Sequence, residues 1–372
     1  MSPIEQAEAH LGAREVERAL GVYASIAEPG PAELDRIDGG RWMCHMLAGE
    51  YAAAWRCSDA IRARGGEDAH RFWTGEPIDG KRLMLRCLHG YGDTVMYLRW
   101  LPELRRRCSE VIVQACPEML PLLEAMVRGS ESARLHQRRS ADTENRCCPA
   151  RVTGWAQPGE SDLDQWDVQV ECAELPFLFR ATTATLPEPV GFVFPEAEAH
   201  RIRTRMGERT KPRVGLVWTG SNYDPARSIP FSQFRRLLEN HSVEFWSLQA
   251  PENNAEWNAF CAERGWSQRR FYMADESGNV CHAGIADMAA FAREMDVLIT
   301  IDTMAAHVAG SLGLPTWLLL KREADWRWMI DREDSPWYPT TRLFRQAVAG
   351  EWEGPLTRVC DALRDLDEEM CA

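Results

Sequence analysis

Long apolar runs are missing from this chain. No stretch reaches the roughly eighteen consecutive apolar residues of a spanning helix, so no transmembrane segment is expected. The first twenty residues, MSPIEQAEAHLGAREVERAL, are charged and lack the apolar core of a signal peptide, which predicts a cytoplasmic protein. An excess of positive charge is missing too. Lys and Arg number 43 against 56 Asp and Glu, a formal net charge of −13, which argues against a general nucleic-acid binder. The twelve cysteines form no CxxC and no Cys/His set at zinc-like spacing. They are expected to be reduced, structural thiols. There is no GxGxxG, no GK[ST] and no Ser-His-Asp order, so a Rossmann dinucleotide fingerprint, a P-loop and a hydrolase triad are all absent.

What is present is α/β alternation. Its clearest stretch is Asp296 to Leu320, DVLITIDTMAAHVAGSLGLPTWLLL. Val297 to Ile301 is charge-free and β-branched, a buried strand. Asp302 or Thr303 can cap the following helix, Met304 to Leu312. Gly313 ends that helix and Pro315 prevents its resumption. Thr316 to Leu320 is a second buried strand. Open α/β sheets bind ligands beyond the carboxyl ends of their strands. The helix N-terminus there offers unpaired N–H groups to an anion.

The chain of 372 residues is long enough for two domains plus an appendage. Residues 1 to 74 read as helical. Within them, Arg41 to Gly65 has the pattern of a helical hairpin, with Leu47, Gly49, Tyr51, Ala53, Ala54 and Ile61 at tetratricopeptide-like spacing. One degenerate repeat cannot form a solenoid, so a small cap on the next domain is expected, with a remnant peptide-binding module as the other possibility. Residues 75–190 form the first α/β domain. Its strand Lys81 to Leu88 runs into His89-Gly90-Tyr91-Gly92-Asp93-Thr94 and a helix over 95–106. Strand Glu110 to Gln114 and helix Pro117 to Val127 follow. Residues 129–159 read mostly as surface loop with room for a short strand, and 164–171 as an edge strand. Residues 191–350 form the second α/β domain, with strands over 213–218, 243–249, 297–301 and 316–320. The Trp- and Arg-rich stretch 326–346 reads as a tail, and 351–372 holds a last amphipathic helix.

Four places could carry chemistry. Asp93, at a strand's carboxyl end, could act as a general base toward a hydroxyl or simply cap its helix. In the turn after Trp218, the residues Gly220, Ser221 and Asn222 offer donors, and Arg227 can pair bidentately with phosphate or be a solvated charge. The Asp302-Thr303 turn could hold diphosphate on backbone N–H groups and the Thr hydroxyl, with Asp302 accepting from sugar hydroxyls. His307 fits a packing role on its small-residue helix. Trp326, Trp328 and Trp337, with Asp325 and Arg327, could wall a ring-shaped ligand or seal the tail onto the domain.

Taken together, RVGLVWTGS, RSIP, WSLQ, ITIDTMAAHVAGSLGLPTWLLL and DWRWM…DSPWYPTTRLFRQ resemble the heptosyltransferase-like glycosyltransferases of the family 9 type. HGYGDTVMYLRWLPEL resembles the Gly-Asp loop of the same family. In bacteria this branch often follows tetratricopeptide repeats. The likeness covers roughly residues 75–350. It implies a GT-B fold: two Rossmann-like domains facing across a cleft, here with a small helical tetratricopeptide-like extension. It also implies inverting transfer, without a metal or cofactor, from a nucleotide-diphosphate sugar (ADP-, UDP- or GDP-linked, heptose-like or hexose) to a hydroxyl acceptor. The acceptor could be a glycan, a lipid-linked glycan, a protein or a small molecule, and the enzyme could work peripheral to the inner membrane. Asp93 matches the proposed base, with Gly90, Tyr91, Gly92 and Thr94 in the acceptor loop. Trp218, Gly220, Ser221, Asn222, Arg227, Ser228, Gln249, Asp302, Thr303, Met304, Ala305 and His307 fall in the donor region. Three departures stand out: Glu174 where a Ser precedes Leu-Pro, the long 129–159 stretch, and SNYDPARSIP after Gly220. A catalytically silent scaffold on the same fold is the alternative function, and an epimerase or dehydrogenase is a third, disfavoured by the missing GxGxxG.

Overall fold

Two parallel sheets carry the chain. The computed structural model describes residues 1–65, 72–137, 147–155, 165–250, 253–266, 270–272 and 284–371, without the side chains of 132–137 and 367–371. Helices α1 (Pro3–Gly12), α2 (Val16–Ser25), α3 (Pro31–Leu47) and α4 (Tyr51–Arg64) come first. Ser2 caps α1, its hydroxyl accepting from the Glu5 N–H while Glu5 reaches back to the Ser2 N–H. The sequence signalled the α3–α4 hairpin and at least one further helix over Glu5 to Ile26. The structure has two earlier helices; α1, α2 and α3 share a core of Ile4, Ala7, Val16, Tyr23, Ile37 and Leu47, while Tyr51, Ala54 and Trp55 of α4 pack into the cluster of the first sheet.

The first sheet contains β1 (Arg82–Arg86), β2 (Glu110–Ala115), β3 (Ala150–Gly154) and β4 (Val168–Glu171) in the order β3-β2-β1-β4. Between β1 and β2 lie α5 (Tyr91–Tyr97), a 3₁₀ turn (Leu98–Trp100) and α6 (Leu101–Arg107). Pro102 sits in the first turn of α6, where its missing N–H costs nothing. The following helix, α7 (Leu120–Gln137), corrects the expectation of loop from residue 129. Its second half is polar, so the apolar periodicity that marks a helix fades while the helix continues. Strand β3 fills the place left for a short strand, and residues 138–146 and 156–159 of that stretch lie outside the described residues. Helix α8 (Leu175–Leu178) ends the domain.

The connector helix is α9 (Glu196–Met206). The second sheet contains β5 (Arg213–Val217), β6 (Glu244–Ser247), β7 (Val297–Ile301), β8 (Thr316–Leu320) and β9 (Thr341–Arg345), ordered β6-β5-β7-β8-β9 and parallel throughout. Its helices are α10 (Phe231–Phe234), α11 (Ala255–Arg264), α12 (Ile285–Ala292), α13 (Met304–Leu312) and the final α14 (Glu353–Cys371). Gly313 ends α13 in the left-handed conformation, φ 68°. Strand β9 lies in the stretch expected to be a tail. Its TRLFR buries Thr341, Leu343 and Phe344 along the edge of β8.

Strand order locates the clefts. In the first sheet β2 and β4 flank β1 on opposite sides, so the loops after β1 and β4 diverge above the sheet. In the second, β6 and β7 flank β5, so the loops after β5 and β7 diverge likewise. Each is a topological switch point, where such folds bind ligands. One hydrophobic cluster joins Leu83, Val95 and Leu98 of the first sheet layer to Ala306, Val308 and Leu318 of the second. No described helix is long and apolar enough to cross a membrane.

Candidate functional site

The two switch points meet at α5 and α13. Gly92, in the first turn of α5, lies against His307: a Cβ there would come 2.5 Å from the imidazole Cδ2. The resemblance placed this glycine in a loop for the acceptor. Here the glycine lets one domain approach the other. Gly92→Ala should therefore force α5 from α13 and cost about 1–3 kcal/mol, as overpacking of a tight contact does. Urea denaturation checks this, and an unchanged midpoint would refute the contact.

Asp93 sits at this junction with both carboxylate oxygens engaged. Oδ2 accepts from the Gly90 N–H at 3.1 Å, the helix-capping role. Oδ1 accepts from the Arg327 guanidinium at 2.6 Å. Arg327 lies in a 3₁₀ turn, Trp326–Trp328, that the Asp325 side chain caps by accepting from the Arg327 N–H. Its side chain is only 14% exposed. Burial alone would lower its pKa, but Asp325, Tyr97, Asp93 and Asp302 around it outweigh that and raise it, so it stays charged. Arg99 makes a second tie between domains. Buried, it donates to the Met96, Pro187 and Trp337 carbonyls.

Across the junction, Arg227 donates from Nη1 to the Asp302 carbonyl at 2.8 Å. This ties the loop after β5 to the turn after β7. Gly220 lies beside Thr303, and its N–H donates to the Ser228 hydroxyl at 3.1 Å. Thr303 begins α13 in extended conformation without a side-chain capping bond, so the first N–H groups of the helix have no side-chain partner. Asp302 is buried, and burial pushes its carboxyl up to about 6. Lys321 pairs with Asp224 at 2.7 Å and braces the same loop.

The structure thus brings Asp93, Arg227, Asp302, Thr303 and Met304 to one junction, with Gly90, Gly92, Gly220 and Ser228 shaping the loops. Ser221 and Asn222 are exposed in the loop after β5, and Tyr91 is exposed at the start of α5. Other expected site residues turn inward. Trp218 packs among Phe231, Phe234 and Trp257 in the second-domain core, because alternation along β5 puts Val214, Leu216 and Trp218 on one face. Its ring is not offered to a ligand. Gln249 is buried and spends its amide on the loop, its Oε1 accepting from the Trp218 and Thr219 N–H groups and its Nε2 donating to the Thr219 carbonyl. Thr94 and Ala305 are buried. His307 is buried, stacked on Trp328 and bonded to the Tyr338 hydroxyl at 3.1 Å. Burial, then Arg327 and Arg99, hold its pKa well below the ordinary value, so it is neutral. Trp328 and Trp337 seal the core, while Trp326 stays half-buried at a cavity.

That cavity, about 640 Å³, opens at the first switch point. Asp93, Tyr97 and Arg327 lie at it, and Ala173, Glu174 and Phe177 close one side. The other side comes from the N-terminal helices: Gly39 and Trp42 of α3, and Trp55, Ser58 and Arg62 of α4. The appendage was expected to be a docked cap. It docks, with the Trp55 indole donating to the Ala181 carbonyl and the Trp337 indole donating to the Tyr51 hydroxyl, and it also lines the cavity. Among the described residues no cluster of His, Cys, Asp or Glu could hold a metal ion.

No family model matches the chain. Protein FlbA of Caulobacter vibrioides is 26% identical over 376 residues, spanning 96% of this chain. The chain covers 60% of the length of FlbA. Among solved structures, the ADP-heptose lps heptosyltransferase II of E. coli aligns with TM-score 0.51 at 14% identity, over 78% of this chain and all of that one. A family 9 glycosyl transferase from Veillonella parvula aligns with TM-score 0.50 at 14% identity, over 80% of this chain and all of that one. At that identity the likeness carries architecture, and with the two parallel sheets meeting at α5 and α13 it leads to one conclusion: the chain has the heptosyltransferase-like GT-B fold.

Proposed function

We propose that this chain is an inverting glycosyltransferase that moves a heptose-like or hexose sugar from a nucleotide-diphosphate donor to a hydroxyl acceptor. The observation that carries the proposal is the meeting of Asp93 with the Asp302–Thr303 turn, through Gly92 on His307 and Arg327 on Asp93. A base and an anion-binding helix end then face one reaction centre. Asp93 takes the proton of the acceptor hydroxyl, and the oxygen attacks the anomeric carbon. The bond from that carbon to the diphosphate breaks from the opposite side, inverting the centre. Arg227 and the first N–H groups of α13 take up the charge of the departing nucleoside diphosphate. Fixed cations and dipoles placed where charge develops supply much of catalysis, so this chemistry needs neither metal nor cofactor. Asp302 serves the sugar hydroxyls.

The E. coli neighbour is an ADP-heptose heptosyltransferase, so ADP-heptose is the first donor to try. Calorimetric titration with ADP-, UDP- and GDP-linked sugars tests the proposal directly. Absence of binding by all three sinks it. The second reading, a silent scaffold, draws on Asp93 having both oxygens engaged. Donor binding without nucleotide release would favour it.

Donor affinity should depend on pH through Asp302. Its carboxyl, pushed up to about 6, is neutral below that pH and ionised above it. A diphosphate nearby prefers the neutral form. Affinity should therefore fall as pH rises through about 6, by about tenfold if the donor shifts the carboxyl by a further unit. A nucleotide sugar is the right probe, because its diphosphate has no terminal group titrating in this range. Asp302→Asn should flatten the profile. A flat wild-type profile would remove Asp302 from the donor site.

A further inference from the structure

We infer that the α3–α4 hairpin is the acceptor-selecting wall of this site, and that it takes a saccharide ring. The inference rests on the transferase reading above and adds where the acceptor sits and what it is. The cavity beside Asp93 has three walls, and one of them belongs to neither Rossmann-like domain. Trp55, Ser58 and Arg62 fall three and four residues apart along α4, which places them on one helix face. Gly39 and Trp42 do the same on α3. The hairpin therefore presents a surface to the same cavity that Asp93 and Arg327 line.

The chemistry of that surface points to a sugar. Trp42 and Trp326 form a corner, ring centroids 5.8 Å apart and planes at 72°, and both are half-buried with area left toward the cavity. Flat aromatic faces suit the C–H face of a pyranose, which buries apolar area without a hydrogen bond. Around the corner, the side chains of Ser58, Arg62 and Glu174 make no hydrogen bond to any described residue, and the Arg62 guanidinium lies over the Phe177 ring. A hydroxyl, a guanidinium and a carboxylate together can donate to and accept from vicinal sugar hydroxyls. Apolar walls with a few converging polar groups are the general form of a small-ligand site, and about 640 Å³ falls within its size range. A peptide laid along the hairpin would look for an open strand edge or an extended groove. The residues here line a compact cavity of about 640 Å³ instead, with the buried Tyr97 and Phe177 among its walls.

The arrangement also assigns a role to the appendage. Its helices reach the second domain as well as the first: Arg14 donates to the Glu323 and Ala324 carbonyls, and the Ile330 N–H donates to the Leu47 carbonyl. The hairpin is thus held on both sides of the wall it provides, so its side chains are fixed relative to Asp93.

The test uses the full chain, a printed glycan array and calorimetry with ADP, UDP and GDP. The wild type should bind a set of array glycans sharing a terminal sugar. Trp42→Ala and, separately, Ser58→Phe, which fills the cavity, should each lower that signal by about tenfold or more while nucleotide affinity stays unchanged. Arg62→Ala, at the exposed rim, should lower it less and keeps the test valid if the other variants fold poorly. Array binding unaffected by all three variants, or nucleotide binding with no glycan bound, overturns the inference and leaves the transferase reading standing. Absence of nucleotide binding overturns that reading instead. Binding to an acidic peptide library in place of the array, lost in the same variants, would also overturn the saccharide assignment.

Discussion

Asp93→Asn should lower nucleoside diphosphate release from the donor sugar by about 10²–10⁴-fold, the usual worth of a positioned general base. The substitution is chosen for what it keeps. Asn can still accept from the Gly90 N–H, so α5 retains its cap. What goes is the negative charge and the proton-accepting oxygen. Donor affinity should change little, because Arg227, Thr303 and the α13 N-terminus are untouched. A variant that releases nucleotide at the wild-type rate would remove Asp93 as base. A variant that also fails to bind donor would instead mean that the Arg327 pair holds the donor pocket open. The pair with Arg327 bears on the rate as well. A carboxylate bound to a guanidinium is held in place, and it must part from that cation, or share it, to reach the acceptor hydroxyl. Asp93→Glu, one methylene longer, should recover little because its oxygens cannot meet Gly90 and Arg327 together.

The half of the site on the second domain was legible from the sequence. Val297–Ile301, Met304–Leu312 and Thr316–Leu320 lie where the residues put them, since a charge-free β-branched run, a small-residue helix and a Gly stop leave few alternatives. The Gly-Asp loop was legible as a loop, but its main partner was not. Arg327 lies 234 residues beyond Asp93, and nothing local marks that pairing. Trp218 could have been placed correctly, because the alternation of Val214, Leu216 and Trp218 already assigns it to the core face. The role of Gln249 was hidden, because a buried amide that holds a loop looks in sequence like one that holds a ligand. The cavity wall on α3 and α4 was out of reach for the same reason as Arg327. Helical periodicity shows which face of a helix is apolar, and the docking partner decides whether that face meets a core or a cavity. Strand β9 was missed because its five residues sit among tryptophans and arginines that look like a surface tail.

Arg327→Met should be the most destabilising single change at the site, by about 3–5 kcal/mol, as expected when one partner of a buried ion pair is removed. The guanidinium is surrounded by carboxylates: Asp93 at 2.6 Å, Asp325 at 3.2 Å, and Asp302 near enough to be held down by it. Methionine fills much of the volume, so the loss is one of charge. The sign of the pH dependence follows from Asp302. Its folded-state pKa already lies above the ordinary value of 3.8, and losing Arg327 raises it further. A carboxyl raised in the folded state stabilises the fold when protonated, and that contribution is lost as pH rises through the folded pKa. The cost of Arg327→Met should therefore be smaller at pH 5 than at pH 7.5. Arg327→Lys should fall between, because it restores the charge without the fork that reaches Asp93 and Asp325 at once. Urea denaturation of the three proteins at both pH values decides the matter. A cost within about 0.5 kcal/mol of zero, the ordinary range for surface substitutions, would mean that the carboxylates are solvated enough to stand alone. An equal cost at both pH values would detach Asp302 from the cluster and leave Arg327 as a partner of Asp93 and Asp325 only.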